Sequence, residues 1–186
     1  PPASVRPAVV VTSRRGRPPS ETATQTGVRE VSLPDIRWTR CDIKSVSLLP
    51  NVLAKQAARD AGAYEAWQVD GEGFVTEGAS TNAWIVDADG RLVTRPPEDA
   101  ILNGITRQRL IALAGAAGIA VVARAFTLEQ PMPAREAFVR STTSYGLPVV
   151  QIDDAVLGNG RPGSVSLDLR QRYDAFVQAS REPIAR

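Results

Sequence analysis

Of the 22 basic side chains in this sequence, only Lys44 and Lys55 are lysine, the remainder being arginine. Arginine cannot form an imine and stays charged in water, whereas a lysine amine can be neutral and can attack a carbonyl. The two lysines are therefore the candidates for covalent chemistry. Lys44 lies in RCDIKSVSLL, flanked by Ile43, Val46 and Leu48. An apolar setting disfavours the ammonium form and would lower the pKa of its amine. Two roles stay open for it, an imine-forming amine or a structural lysine paired with Asp42. Lys55 stands beside Gln56, Arg59 and Asp60, as expected of a solvated helix face.

Three other stretches carry chemistry-bearing groups. Glu77, in FVTEGASTNAW, is a carboxylate in a tight polar turn between apolar strands. It can form the turn, or it can face a pyridine nitrogen and keep it protonated. Leu102, Asn103, Gly104, Ile105, Thr106 and Arg107 make a glycine turn that opens a helix. Free N–H groups and the helix dipole there either serve plain capping or form a seat for phosphate. Ser141, Thr142 and Thr143 end a strand with three hydroxyls, a second place for phosphate. An imine-forming lysine, a carboxylate and two phosphate-binding elements together are the parts a pyridoxal phosphate site needs.

The elements that must position these groups follow from periodicity. Strands are expected over 5–13, within 27–38, over 64–69, 74–76, 82–93 (turning at Asp89-Gly90), 121–126, 137–141 and 148–152. A Gly/Pro/Arg loop is expected near 14–20. Helices are expected over 48–61, with Pro50 in the first turn and Gly62 as C-cap, over 105–117, and over 164–179. The last should be capped by Ser164 or its neighbour. The class is α+β, with most strands in hairpins and helices outside. GNGRPG at 158–163 matches a dinucleotide-binding pattern literally, but too little chain follows for its second strand and ribose-binding acid. It reads as a turn into the last helix.

Composition removes other chemistries. With 43% hydrophobic and 23% charged residues the chain is ordinary for a globular protein. It has no histidine, which excludes Ser-His-Asp triads, HExxH zinc sites and histidine bases within it. Cys41 is its only cysteine, so neither an internal disulfide nor a thiolate zinc site can form. The net charge of +2 comes with no basic run longer than SRRGR, read as a solvated loop rather than a nucleic-acid patch. No apolar run is long enough to span a membrane, no export signal is seen at Pro1, and a cytoplasmic compartment is expected. The chain opens on Pro1 with Met132 as its only methionine, so a piece of a longer protein is expected.

RWTRCDIKSVSLLPNVLAKQAARDAGAYEAW, VTEGASTNAWIV, ILNGITR and FVRSTTSYGLPVV, in that order, resemble the D-amino-acid transaminase family within the class IV (fold-type IV) aminotransferases. The resemblance runs from about Val5 to Ala179. It implies the large C-terminal domain of that fold, mixed sheets of barrel-like form with outer helices, over residues 23–186. Residues 1–22 would be a remnant of an N-terminal domain or an interdomain segment. It implies that Lys44 carries pyridoxal 5′-phosphate as an imine and that Glu77 contacts the pyridine nitrogen. Leu102 would pack on the ring, Ile105 and Thr106 would bind the phosphate, and Ser141 and Thr142 would flank it. The expected activity is transamination of D-amino acids with a 2-oxo acid, by a homodimer. Branched-chain aminotransferase and aminodeoxychorismate lyase are the alternatives within the fold, and a non-catalytic fragment or interaction domain is one of another class. Pro50 stands where relatives often carry glycine. The family's N-terminal domain, which supplies a phosphate-binding arginine and most of the substrate-carboxylate trap, has no counterpart in this sequence.

Overall fold

Apolar side chains at consecutive positions, as in NAWIV, mark strands buried on both faces, and such strands organise the structure. It is a computed structural model, and it describes residues 4, 6, 8–13, 19–128, 134–144 and 146–180. In chain order the elements are α1 (Glu21–Thr26), β1 (Val28–Pro34), α2 (Leu49–Asp60), β2 (Glu65–Val69), β3 (Val75–Gly78), β4 (Asn82–Val86) and β5 (Leu92–Thr94). They continue with α3 (Ile105–Ala116), β6 (Val121–Ala123), β7 (Glu136–Arg140), β8 (Leu147–Ile152), β9 (Ala155–Val156) and α4 (Ser164–Ala179). The strands form one mixed sheet in the order β3-β2-β1-β8-β7-β4-β5-β6, with β9 beside β8.

Hairpins join β2 to β3, β4 to β5, β7 to β8 and β8 to β9, all antiparallel. The exceptions to the expected hairpin order are β1, which lies parallel to both β2 and β8, and β6, which lies parallel to β5. Parallel neighbours need a crossover, and α2 provides the one from β1 to β2. The sheet curls toward closure. Phe74 next to β3 bridges Thr127 beyond β6, so its two edges meet. This is the barrel-like α+β architecture expected from sequence.

Each face of the sheet holds a core. Alternation sends Ala83, Ile85, Ala137 and Val139 inward, where they pack with Trp67, Val75, Val93, Phe126 and Val149. Trp84, Val86 and Phe138 point to the other face, beneath α3 and α4, with Leu110, Ala114 and Leu169. Trp84 and Phe138 are direct register partners and stack at 5.8 Å between centroids. Truncating either to alanine should cost about 3–5 kcal/mol. A smaller cluster seats α2 on the sheet through Ala54, Ala58, Ala66 and Ala79.

Several expectations need correction. Residues 8–13 form no strand; Val9, Val10 and Val11 are exposed and have no sheet neighbour among the described residues. The remaining residues of the expected 5–13 strand, apart from Arg6, lie outside the described residues, as does most of the 14–20 loop. The short helix α1, capped by the Ser20 side chain, was not foreseen, nor was β9. The helix α4 has no capping side chain at Ser164. The Glu136 carboxylate, from β7, accepts instead from the amides of Val165 (3.0 Å) and Ser166 (2.8 Å). Gly163 makes this approach possible, since a Cβ there would collide with the Glu136 side chain. GNGRPG is the turn into α4, as expected. No helix among the described residues is long and apolar enough to cross a membrane.

Candidate functional site

The strand β3 ends at a buried carboxylate. Glu77 is only 7% exposed. Its Oε2 accepts from Asn82 Nδ2 at 3.0 Å and from the Leu102 amide at 3.2 Å, and its Oε1 accepts from Arg37 Nη1. Arg37 is itself fixed from several sides. Its Nε and Nη2 donate to the two Asp35 oxygens at 2.9 and 2.6 Å, and Nη2 also reaches Thr76 Oγ1 and the Ala100 carbonyl. A planar guanidinium clamped in this way fixes the carboxylate's orientation.

Two anions share that one guanidinium, and burial decides how they differ. Burial pushes the Glu77 carboxyl up to about 7, although the charge and hydrogen bond of Arg37 pull the other way. Asp35 is less enclosed; burial raises it, but hydrogen bonds from Arg37 and Thr76 outweigh this and hold it below the usual carboxylate range. Near neutral pH, Glu77 is thus poised to gain from a further cation, which would hold it ionised.

Asn82 Nδ2 also donates to the Leu102 carbonyl at 3.0 Å, so Leu102 is held through both its amide and its carbonyl. A Cβ at Gly104 would stand 2.8 Å from Asn82 Oδ1, so only glycine lets this loop lie so close. Gly104 then starts α3, and no side chain caps that helix. Thr106 is buried in its first turn, and Ile105 is exposed. The turn after β7, which also lines the cleft, holds Ser141 and Thr142. Ser141 Oγ accepts from the amides of Thr143 and Ser144, and Thr142 is exposed.

Lys44 is placed on the other wall, between β1 and α2. The apolar enclosure expected around it is not formed by the described residues: Lys44 is exposed, and Ile43, Val46 and Leu48 point into solvent. The alternative pairing with Asp42 is not formed either, because Asp42 binds Arg40 through two 2.8 Å contacts. Lys44 makes no hydrogen bond or ion pair among the described residues. Lys55 differs from expectation too. It is half-buried, 2.8 Å from a Glu65 oxygen that is fully buried, and 5.1 Å from the Tyr64 ring centroid.

All seven residues singled out from sequence, Lys44, Glu77, Leu102, Ile105, Thr106, Ser141 and Thr142, line a single cleft of about 530 Å³; Lys55 does not. The cleft offers a free amine, a buried carboxylate, an uncapped helix start and a turn that carries hydroxyls. This suits a ligand that carries both a cationic ring nitrogen and an anionic group. Sequence reasoning missed Arg37 and Asn82. Asn82 lay inside a motif already marked, but nothing local set Arg37 apart from nineteen other arginines.

A model of the class IV amino-transferase family matches residues 2–152. A D-alanine aminotransferase of Bacillus licheniformis is 39% identical over 146 residues, covering 78% of this chain and 51% of that protein. One from Staphylococcus haemolyticus is 40% identical over 155 residues, covering 83% and 54%. The crystal structure of a branched-chain amino acid aminotransferase (T.th.) with pyridoxamine 5′-phosphate superposes with a TM-score of 0.78. It is 32% identical and covers 90% of this chain and 56% of that one. The chain spans about half the length of the curated relatives it matches.

Proposed function

The chain belongs to the class IV amino-transferase family, and on that premise we propose that the whole protein transfers amino groups from D-amino acids of the D-alanine type to a 2-oxo acid, using pyridoxal 5′-phosphate. The observation that carries this reading is the convergence of the seven residues, from four separated stretches of sequence, on one cleft. The relatives named D-alanine aminotransferase support the substrate class. The fold shared with a pyridoxamine-phosphate-bound structure supports the cofactor. That neighbour's branched-chain substrate class is the second reading.

When bound, the cofactor supplies an aldehyde for the amino group and a pyridinium ring that accepts electrons from the substrate α-carbon. The chain's residues do the rest. Lys44 would hold the cofactor covalently through Nζ, and its amine, when free, would carry a proton to and from the substrate α-carbon. Glu77, kept in position by Arg37 and Asn82, holds the ring nitrogen protonated. Leu102 covers one ring face. The Ile105 amide and Thr106 hydroxyl, with Ser141 and Thr142, hold the phosphate.

In this proposal residues 23–186 are the cofactor-binding domain and 1–22 connect to, or remain from, an N-terminal one. The full protein works as a homodimer, as the family resemblance implies, in the cytoplasmic compartment expected from composition. The exposed apolar side chains of Ile36, Val46, Leu49 and Val52 beside the lysine support a covering surface there. The test assays the full-length protein with 2-oxoglutarate and either D-alanine or L-isoleucine. Faster turnover of D-alanine is expected. Turnover of L-isoleucine alone would select the second reading, and turnover of neither would overturn transamination.

A further inference from the structure

Arginine side chains buried in this chain fall into two groups. Arg37 is held by Asp35 and Glu77. Arg107 and Arg140 are 2% and 1% exposed, yet neither has a carboxylate in ion-pair range among the described residues. Arg107 donates to Asn103 Oδ1 (3.1 Å) and to the Arg95 carbonyl (2.9 Å), leaving Nε without a partner among the described residues. Among the described residues, none of the three guanidinium nitrogens of Arg140 has a hydrogen-bond partner of ordinary geometry. Its guanidinium lies on the Tyr173 ring, 3.4 Å from the centroid, and a Cβ at Gly146 would sit 3.1 Å from its Nη1. The Tyr173 side chain favours the charge, but less than burial opposes it. Asp174 acts on it only through space and is 3.9 Å from Arg170.

A buried cation without a counter-ion is costly, and here burial works against the charge of both arginines. Their positions in the chain show where an anion would relieve that cost. Arg107 follows Thr106 at the start of α3, and Arg140 precedes Ser141 at the end of β7. Both elements line the cleft, α3 through Ile105 and Thr106 and the end of β7 through Arg140 and Ser141. We propose that Arg140, backed by Arg107, is the buried counter-charge of the phosphate-binding end of the cleft, raising affinity for a phosphorylated ligand without touching it. The nitrogens are shielded from solvent, so they act through low-dielectric protein, where a charge keeps its reach. The inference rests on the cofactor-site reading above and adds a residue to it.

The test compares pyridoxal phosphate with pyridoxal, which lacks the phosphate, by absorbance titration of the full-length protein freed of cofactor. Arg140→Met removes the charge. Tyr173→Glu keeps the guanidinium but sets a carboxylate against it from a half-buried helix position, and so carries the test if Arg140→Met does not fold. Each substitution should reduce the preference for pyridoxal phosphate over pyridoxal by about tenfold or more, with pyridoxal affinity nearly unchanged. A purely structural role for Arg140 would weaken both ligands alike. Equal weakening, or an unchanged preference in the variants, overturns the inference while leaving the site reading intact. A wild-type protein with no preference for the phosphorylated ligand overturns the site reading and the inference with it.

Discussion

The two walls of the cleft are built differently. On the carboxylate wall, Glu77 is buried and every neighbour that orients it is itself held: Arg37 by Asp35 and Thr76, Asn82 by Leu102. On the lysine wall, Lys44 is exposed and unpaired among the described residues, and Val46 beside it is 94% exposed. The first wall is complete within this chain. The second presents apolar surface that water contacts, the usual mark of a surface awaiting cover. The orientation of the carboxylate is thus encoded locally, whereas the setting of the amine, in the proposed function, depends on a covering surface over residues 43–53.

Substitutions on each wall should separate these roles. In the full-length protein, Lys44→Ala should reduce turnover by ~10³-fold or more, since it removes both the covalent attachment and the proton carrier. Lys55→Ala should leave turnover close to wild type but lower stability by roughly 1–3 kcal/mol in denaturant titrations. Its partner Glu65 is fully buried, while the half-exposed ammonium discounts the value of the pair. Equal losses of turnover in the two variants would erase the distinction between the lysines.

Glu77→Gln comes next. It should retain cofactor but slow turnover by ~10²-fold, because a partner to developing charge is typically worth roughly 3 kcal/mol. Unchanged turnover would reduce Glu77 to a turn former. Thr106→Ala should weaken cofactor affinity by about 10- to 150-fold, or about 1.5–3 kcal/mol, with turnover at saturating cofactor little changed. Unaltered affinity would put the phosphate elsewhere.

The smallest effect lies away from the cleft. Glu30 is fully buried, and neither oxygen has a hydrogen-bond partner among the described residues. Burial, then the charge of Glu65, push its pKa well up, while Lys55 opposes them. The fold therefore favours protonated Glu30, and that stabilisation is present at acid pH and lost as pH rises through the elevated value. Between about pH 5 and 8 the melting temperature of Glu30→Gln should fall less than that of the wild type. Parallel curves would mean Glu30 does not titrate as described.

What could be read from the sequence follows the range of the interactions. The helices at 49–60, 105–116 and 164–179 and the hairpin at Asp89-Gly90 depend on local periodicity and turn residues, and they stand where expected. The wrong expectations depended on distant partners. Val9 to Val11 have the composition of a strand but, among the described residues, no neighbouring strand to pair with. Ser164 or its neighbour was expected to cap α4, and the cap position is the neighbour Gly163, but the capping side chain is that of Glu136, from 28 positions upstream of Ser164. The apolar neighbours of Lys44 suggested enclosure, yet sequence adjacency does not say which way side chains turn. Arg140 carried no signal at all, since its significance lies in how few polar partners the described residues set around it in three dimensions.

The central claim is that Lys44, not Lys55, is the reactive amine. Borohydride reduction of the full-length protein in the presence of pyridoxal phosphate, followed by peptide mapping, tests it directly. The account predicts a stable pyridoxyl label on Lys44 and none on Lys55. A label on Lys55, or on neither lysine, would contradict it.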